Sequence, residues 1–431
     1  MLGKFTKILL LVSLFGGLCA SALANTTTAG TAVTAPSAFG ASSGVPAAHA
    51  PAVRITQNDI SIFSGPMEKT LPAPAPVLQV TSVVPEKPTQ VRIALLLPLR
   101  SEALGQAAAA VRAGFLAAHD TEKDGALAIT VAETGDATQD VLAGYDRAVL
   151  SHDIVVGPLT RSGVTAIAQR GRLGKPTIAL TQTDTPGDAD IALPEKMLVM
   201  GLSVEDEARQ VAIWAHDDKI AEKAFSISTN AAWQRRAAKA FSIQWQRLGL
   251  ASELMELGVA DGNLNANSLA QLRRRILAEK PGMVFIALDA VQARQLREAI
   301  GNEMPLFGTS QLNPLAQSDW AIAERDPILD GVRLVDLPWQ LQRDHAAVMI
   351  YPRPVAGAGD KRSADLERLY ALGIDAYRVA REIAMKRPQI EIDGVTGKLV
   401  IEFGNGPAHF DRIESPAIYQ NGAVVPLAGV Q

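Results

Sequence analysis

The stretch VRIALLLPLR, residues 91–100, runs directly into SEALGQAAAAVRAGFLAAH, residues 101–119. Apart from Arg92, residues 91–97 are a continuous apolar run of strand length, the pattern of a strand buried on both faces. Pro98 and Leu99 end it, because proline has no N–H for a ladder. The alanine-rich segment that follows has high helix propensity and small side chains for close packing. Outward from this unit the alternation repeats. Residues 126–132 read as a strand and 139–151 as a helix. IVVG, residues 154–157, is a buried strand stopped by Gly157-Pro158; residues 163–172 are a helix and 176–180 another strand. Short apolar strands alternating with helices imply a parallel sheet covered on both faces.

The pattern then restarts. SVEDEARQVAIWAHD, residues 203–217, opens with a serine N-cap and acids in the first turn. Strands are expected at 224–228, 252–257, 283–288 and 306–308, and helices at 230–248, 268–278 and 291–300. GVRLVDLPW, residues 331–339, suits a strand passing between two lobes. Residues 364–386 read as a long helix with Leu366, Leu369, Leu372, Ala376, Ala380 and Ile383 as its inner stripe. The tail, 392–427, carries Asp393-Gly394, Asn405-Gly406 and Asn421-Gly422, which are hairpin signals. The expected fold is α/β: a two-lobe, type I periplasmic-binding-protein-like fold, each lobe a mainly parallel sheet flanked by helices. Lobe 1 takes about 91–202 and 338–385; lobe 2 takes about 203–337 and 390–427.

The 431 residues are 48% hydrophobic and 20% charged, enough for a sizeable two-lobe core. A formal net charge of −4 excludes the basic footprint of a nucleic-acid binder. Lys4 and Lys7 precede an apolar run at 8–18 that is too short to span a bilayer, and Ala22-Leu23-Ala24 is a small-x-small cleavage site. Residues 1–24 thus read as an export signal. Cys19, the single cysteine, leaves two readings: a lipidated lipoprotein N-terminus, or a residue lost with the signal. Gly16 and Leu18 are a poor lipobox, so cleavage before Asn25 is the reading adopted, with membrane attachment only if Cys19 is lipidated. Residues 25–90 hold nine of the 25 prolines among Ala, Thr and Ser. They read as a disordered tether, roughly 45 Å long as a flexible coil. Within it RITQNDISIFSGPM, residues 54–67, is more apolar and reads as linker or as a short docking segment.

Catalytic motifs are missing. The six histidines, His49, His119, His152, His216, His345 and His409, show no metal-ligand spacing. There is no GxSxG elbow, and Gly174-Lys175-Pro176 lacks the rest of a phosphate-binding loop. Asp184, Asp188 and Asp190 form a solvated turn rather than a calcium loop. No metal, cofactor or enzymatic activity is expected.

Five segments, in order, carry a resemblance: VRIALLLPLRSEALGQAAAAVRAGFLAA, IVVGPLTRSGV, GLSVEDEARQVA, RLYALGIDAYRVA and IDGVTGKLVIE. Together they closely resemble the C-terminal domain of the LpoA/LppC-type penicillin-binding-protein activators over about residues 91–427. More distantly they are similar to branched-chain amino-acid-binding proteins. The resemblance implies a non-enzymatic envelope protein that binds and stimulates a peptidoglycan synthase, in the periplasm of a Gram-negative bacterium and associated with the outer membrane if lipidated. The alternative is a periplasmic solute-binding protein for an amino acid or wall-derived peptide. Longer members carry an N-terminal helical-repeat domain; here the tether stands in its place.

In such a fold ligands bind at the carboxyl ends of the strands. The candidate cleft residues are therefore Leu99, Arg100 and Ser101 after the first strand, and Leu159 and Thr160 after IVVG. Thr181, Gln182 and Thr183 follow the strand at 176–180, and Asp289 follows MVFIAL. Each also has a plain reading as a turn or cap residue, and Asp289 suits a helix N-cap. Asp375 is expected to be a structural hydrogen-bonder, Gly373 a close-packing site, and Trp233 and Trp245 core.

Intact mass of the exported protein should begin at Asn25; a diacylglyceryl-modified Cys19 at the N-terminus refutes this. Deleting residues 25–90 should leave the melting temperature of the remainder within a few degrees. A large loss would show that the segment packs on the lobes.

Overall fold

The computed structural model describes residues 90–123, 125–184, 192–220, 222–314, 327–354 and 363–427. The signal, Cys19, the tether up to residue 89, and Asp188 and Asp190 lie outside the described residues. In the first lobe the order is β1 (Val91–Leu97), α1 (Gly105–Glu122), β2 (Leu127–Glu133), α2 (Thr138–Ser151) and β3 (Ile154–Val156). It continues with α3 (Arg161–Ala168), β4 (Thr177–Ala179) and β5 (Met197–Val199). The strands form a five-stranded parallel sheet in the order β2-β1-β3-β4-β5. Strand side chains alternate between faces. In β1, Ile93, Leu95 and Leu97 enter one core and Ala94 and Leu96 the other. Gly157 ends β3 with φ +120°, and a Cβ there would strike the Leu96 carbonyl, so the chain can turn into α3 only with glycine at this point.

The second lobe begins with α4 (Val204–Asp217), β6 (Ala224–Ser228), α5 (Ala232–Arg247) and β7 (Ser252–Glu256). A small ribbon follows, β8 (Val259–Ala260) with β9 (Asn263–Leu264), and then α6 (Ala266–Glu279), β10 (Met283–Ile286), α7 (Ala290–Ile300), β11 (Leu306–Gly308) and β12 (Arg333–Asp336). The same alternation holds: Phe225, Ile227, Val284 and Ile286 fill one core, and Ala224, Met283, Phe285 and Phe307 the other. The chain then re-enters the first lobe through α8 (Pro338–Leu341), α9 (Ala346–Met349) and α10 (Ala364–Ala384). Leu337 and Trp339 are buried in the first-lobe core, with the Arg353 guanidinium 4.0 Å from the Trp339 ring.

The tail departs from expectation. The antiparallel sheet of β13 (Gln389–Gly394), β14 (Gly397–Glu402) and β15 (His409–Ile413) sends Ile390, Ile392, Leu399 and Ile401 into the first-lobe core. Lobe 1 therefore extends to residue 413. Only β16 (Ser415–Gln420) and β17 (Ala423–Pro426) join the second lobe, completing a seven-stranded sheet in the order β17-β16-β12-β11-β10-β6-β7. Helix α10, covered by α1 and touched by α8 and β13, is buried almost all round rather than along one stripe.

The first hairpin turns at Val395-Thr396, not at Asp393-Gly394, because Gly394 pairs with Gly397. Asp375 fixes that turn. Its carboxylate accepts from Val395 N at 3.1 Å, Thr396 N at 2.8 Å and Thr396 Oγ1 at 2.6 Å. Asn421 and Gly422 form the β16–β17 turn with φ of 52° and 70°, the left-handed pair of a two-residue hairpin.

Helices α1 and α10 meet at two glycines. A Cβ on Gly114 would collide with the Tyr370 carbonyl, and one on Gly373 with the Val111 carbonyl. The obstacle is backbone in both cases and cannot rotate away. Gly373→Val should lower unfolding stability by at least about 1–3 kcal/mol, read by denaturant titration; a value within about 0.5 kcal/mol of wild type would disprove the close crossing.

Candidate functional site

The chain passes between the lobes after β5, after β12 and after β15, and a polar side chain ties each passage, buried at the second and half-buried at the other two. At the first, Arg412 donates to the carbonyls of Met200 at 2.8 Å and Gly201 at 3.0 Å. At the third, Gln210 on α4 makes a reciprocal pair with the Glu414 backbone at 2.8 and 3.0 Å. At the second, Asp336 ends β12 and accepts from Leu337 N at 2.8 Å and Asn313 Nδ2 at 2.8 Å.

Asp336 is also the partner of Arg368, which projects from α10 in the other lobe. Arg368 Nε and Nη2 donate to its two oxygens at 3.0 and 2.7 Å, and Nη2 also reaches the carbonyls of Ser310 and Asn313 at 3.0 and 2.8 Å. Its Nη1 meets Asp365 at 3.0 Å. Burial disfavours the Arg368 charge, but Asp336 and Asp365 outweigh it and hold the guanidinium firmly protonated. Beside this pair, Glu207 accepts from Ser310 N at 2.8 Å and from its hydroxyl at 3.0 Å. Burial, with Asp336 nearby, pushes the Glu207 carboxyl up to about 8. Burial and then Glu207 push Glu414 up as well.

This junction forms one end of a cavity of about 190 Å³ between the lobes. Leu159, Leu180, Leu369 and Leu372 from the first lobe face Trp233 and Val204 from the second. Arg161, Glu205 and Arg236 also line it. Glu205 Oε1 lies 2.6 Å from Arg236 Nε and 3.6 Å from Arg161 Nη2. Burial opposes its ionisation, but the two guanidiniums prevail and hold Glu205 below the usual carboxylate range. Burial lowers Arg161.

Of the sequence candidates, Leu159, Thr181 and Asp289 line this cavity. Leu99 packs against the first-lobe core instead. Arg100 is exposed and pairs with Asp140 at 2.8 Å, and Ser101 donates to Asp136 at 2.6 Å while accepting from Leu104 N. The cause is the turn after Pro98, where Arg100 N bonds to the Thr134 carbonyl and draws the segment along the end of β2. Thr160 is buried just before α3, Gln182 donates to Asp206 at 3.3 Å, and the Thr183 carbonyl accepts from Arg161 at 3.4 Å. Asp289 caps α7 in a full capping box with Gln292. Trp245 is core, whereas Trp233 is a wall of the cavity. Sequence reasoning missed Arg161, Arg236, Glu205 and Arg368. Each sits in an amphipathic helix where a charge reads as solvated surface, and no spacing rule links them. Among the described residues no group of three or more metal-ligating side chains occurs, and no helix is long and apolar enough to cross a membrane.

The profile of the family described as "LppC putative lipoprotein" matches residues 70–405, most of the chain. The chain belongs to the LppC family. A curated relative, the penicillin-binding protein activator LpoA of Edwardsiella piscicida, is 27% identical over 313 residues, covering 64% of this chain and 42% of the relative. This LppC-family chain thus spans about two fifths of the length of that relative. Among solved structures, a "putative branched-chain amino acid ABC transporter" from Chromobacterium violaceum is 33% identical with a TM-score of 0.59, covering 77% of this chain and 100% of the other. The C-domain of Haemophilus influenzae LpoA, described as a regulator of PBP1A, is 20% identical with a TM-score of 0.60, covering 78% and 100%. The LppC-family fold here is the two-lobe, type I periplasmic-binding-protein architecture.

Two outcomes follow from the junction. Arg368→Met leaves Asp336 buried without its cation and should cost about 3–5 kcal/mol, measured by denaturant unfolding; a loss under about 1 kcal/mol would show that the pair is not a lock. Glu207 binds its proton more tightly folded than unfolded, so its contribution is full below its ordinary pKa of 4.5 and lost as pH rises toward about 8. Glu207→Gln should flatten the fall in stability across that window. An unchanged pH profile in the variant would contradict the assignment.

Proposed function

We propose that this chain is a non-enzymatic envelope protein that binds a penicillin-binding protein and stimulates its peptidoglycan-synthesis activity. The observation that carries the reading is the family match over residues 70–405, within which the curated relatives are named as activators of penicillin-binding proteins. The locked junction adds to it. A protein that activates by contact must prefer the active state of its partner, and a preformed, rigid face supplies that preference without ordering cost. Arg368 and Asp336 make the two lobes such a platform. The family description as lipoproteins and the relatives' Gram-negative sources support a place in the periplasm or at the outer membrane.

The test is a synthase assay. Purified chain added to a bifunctional penicillin-binding protein from the same envelope should raise its rate of glycan polymerisation or cross-linking and bind it in solution. No binding and no change with any such synthase would overturn the reading.

One observation favours a second reading, a solute receptor: the 33% identical relative described as a branched-chain amino acid transporter component. Against it, Leu159, Leu369 and Leu372 occupy cleft wall that a zwitterion needs as polar partners, and burying charge against them costs several kcal/mol. Calorimetry on ligand-stripped protein should show no micromolar binding of leucine, isoleucine or valine. Binding at about 8 kcal/mol or better, abolished by Thr181→Ala, would favour transport instead.

A further inference from the structure

The outer strands of the two main sheets are guarded unequally. In the second lobe, β7 carries Glu253, paired with Lys223 at 2.7 Å and Arg275 at 2.6 Å, and Glu256, paired with Arg235 at 3.8 Å. At the other margin β17 is short and ends in Pro426. In the first lobe β5 is three residues long, and Arg412 from β15 takes the carbonyls that follow it. Charge, proline, shortness and cover all discourage pairing with another chain. The outer strand at the opposite margin from β5 is β2, and it differs. It runs for seven residues, LAITVAE, without proline, glycine or lysine, and its one charge, Glu133, is its last residue.

The register with β1 decides which main-chain groups are left over. Val91 N donates to the Ala126 carbonyl and Thr134 N to the Leu97 carbonyl, so the even-numbered residues of β2 turn their main-chain groups towards β1. The N–H and C=O groups of Leu127, Ile129, Val131 and Glu133 point outward, with no partner among the described residues. The side chains follow the same parity. Ile129 and Val131 pack with Leu127 on one core, and Ala132 packs on the other. Ile129 and Val131 are only half-buried, and Thr130 between them is exposed.

We propose that β2 is the interface of a symmetric homodimer, in which two first-lobe sheets join through antiparallel β2–β2 pairing about a two-fold axis at Thr130. In that register Ile129 faces Val131 of the second copy, and Leu127 faces Glu133. These are the outward-pointing residues, so each pair exchanges both of its main-chain bonds. Ala128 faces Ala132, and Thr130 faces itself across the axis. The half-buried Ile129 and Val131 cover one another, a favourable cross-strand pair, and the two Glu133 residues are kept roughly 20 Å apart. A slip by one residue would set groups already bound to β1 against free ones, and a slip by two shortens the ladder. Each copy uses its edge once, so the assembly closes at the dimer. The inference stands apart from the activator reading, which a monomer satisfies equally.

The experiment combines sedimentation equilibrium with disulfide trapping on the mature chain from Asn25, which holds no cysteine. The wild-type chain should show a monomer–dimer equilibrium in the micromolar range. Thr130→Cys under oxidised glutathione should form a disulfide-linked dimer, because residues opposed in a non-hydrogen-bonded pair have Cα atoms about 4.5 Å apart. Ala128→Cys alone should not, since its two copies would lie roughly 14 Å apart; mixed with Ala132→Cys it should cross-link. Thr130→Lys sets two ammonium groups face to face and should weaken the dimer about threefold or more at an unchanged melting temperature. A chain that stays monomeric through the micromolar range, with no trapping of Thr130→Cys, would overturn the proposal. So would Ala128→Cys trapping with itself as readily as Thr130→Cys, assembly beyond the dimer, or Thr130→Lys as dimeric as wild type. If the lysine variant does not fold, the pattern of trapping among the cysteine variants decides by itself.

Discussion

Arg368 holds this structure in one arrangement. It grows from a helix of the first lobe and ends in the second, bonded to both oxygens of Asp336 and to the Ser310 and Asn313 carbonyls. Asp336 is the last residue of β12, at a point where the chain changes lobes. One ion pair therefore fixes the direction of a crossing strand, the seat of α10 and the loop after β11. A buried pair of this kind is seldom worth much against a hydrophobic substitute, but breaking it leaves an uncompensated charge. Its role is to make other lobe orientations costly. At the neighbouring crossings Arg412 holds the end of β15 to the segment after β5, and Gln210 holds the segment entering β16 to α4.

The rest of the junction follows from this pair. With Arg368 bound to Asp336, the nearby carboxyls of Glu207 and Glu414 are buried without enough positive charge for both to ionise, and their proton affinities rise. The cavity begins where that polar layer stops. Its walls combine leucines from the first lobe with Trp233 and Arg236 from the second, so its chemistry exists only while the lobes keep this relation. A rigid two-lobe body suits a protein that works by presenting a surface.

The close crossing of α1 and α10 shows a different kind of constraint. Gly114 and Gly373 bring two backbones together, and the length of α10 then lets it cover the first-lobe sheet. Because α10 carries Arg368 as well as Gly373, the packing of lobe 1 and the lock between lobes are aligned by one helix.

What the sequence determined by itself was the architecture. Apolar runs such as residues 93–97 bury both faces of a strand, and that requires helices on each side. Local chemistry also named its own sites: the serine cap at Ser203, the capping role of Asp289, the left-handed turn at Asn421-Gly422, the hydrogen-bonding Asp375 and the close-packing Gly373. These depend on neighbours in the chain or on the absence of a side chain. Tertiary structure alone decided where the tail divides, since β13–β15 and β16–β17 have similar alternation, yet β16 pairs with the edge of β12 while β13–β15 pair only with one another and pack on the first-lobe core. It alone placed Leu99 and Arg100 away from the cleft, through a single bond to Thr134. And it alone assembled Arg161, Glu205, Arg236 and Arg368 around one space. A charged residue on a helix looks the same in sequence whether it faces water or another lobe, and only the long-range packing that removes the water distinguishes the two.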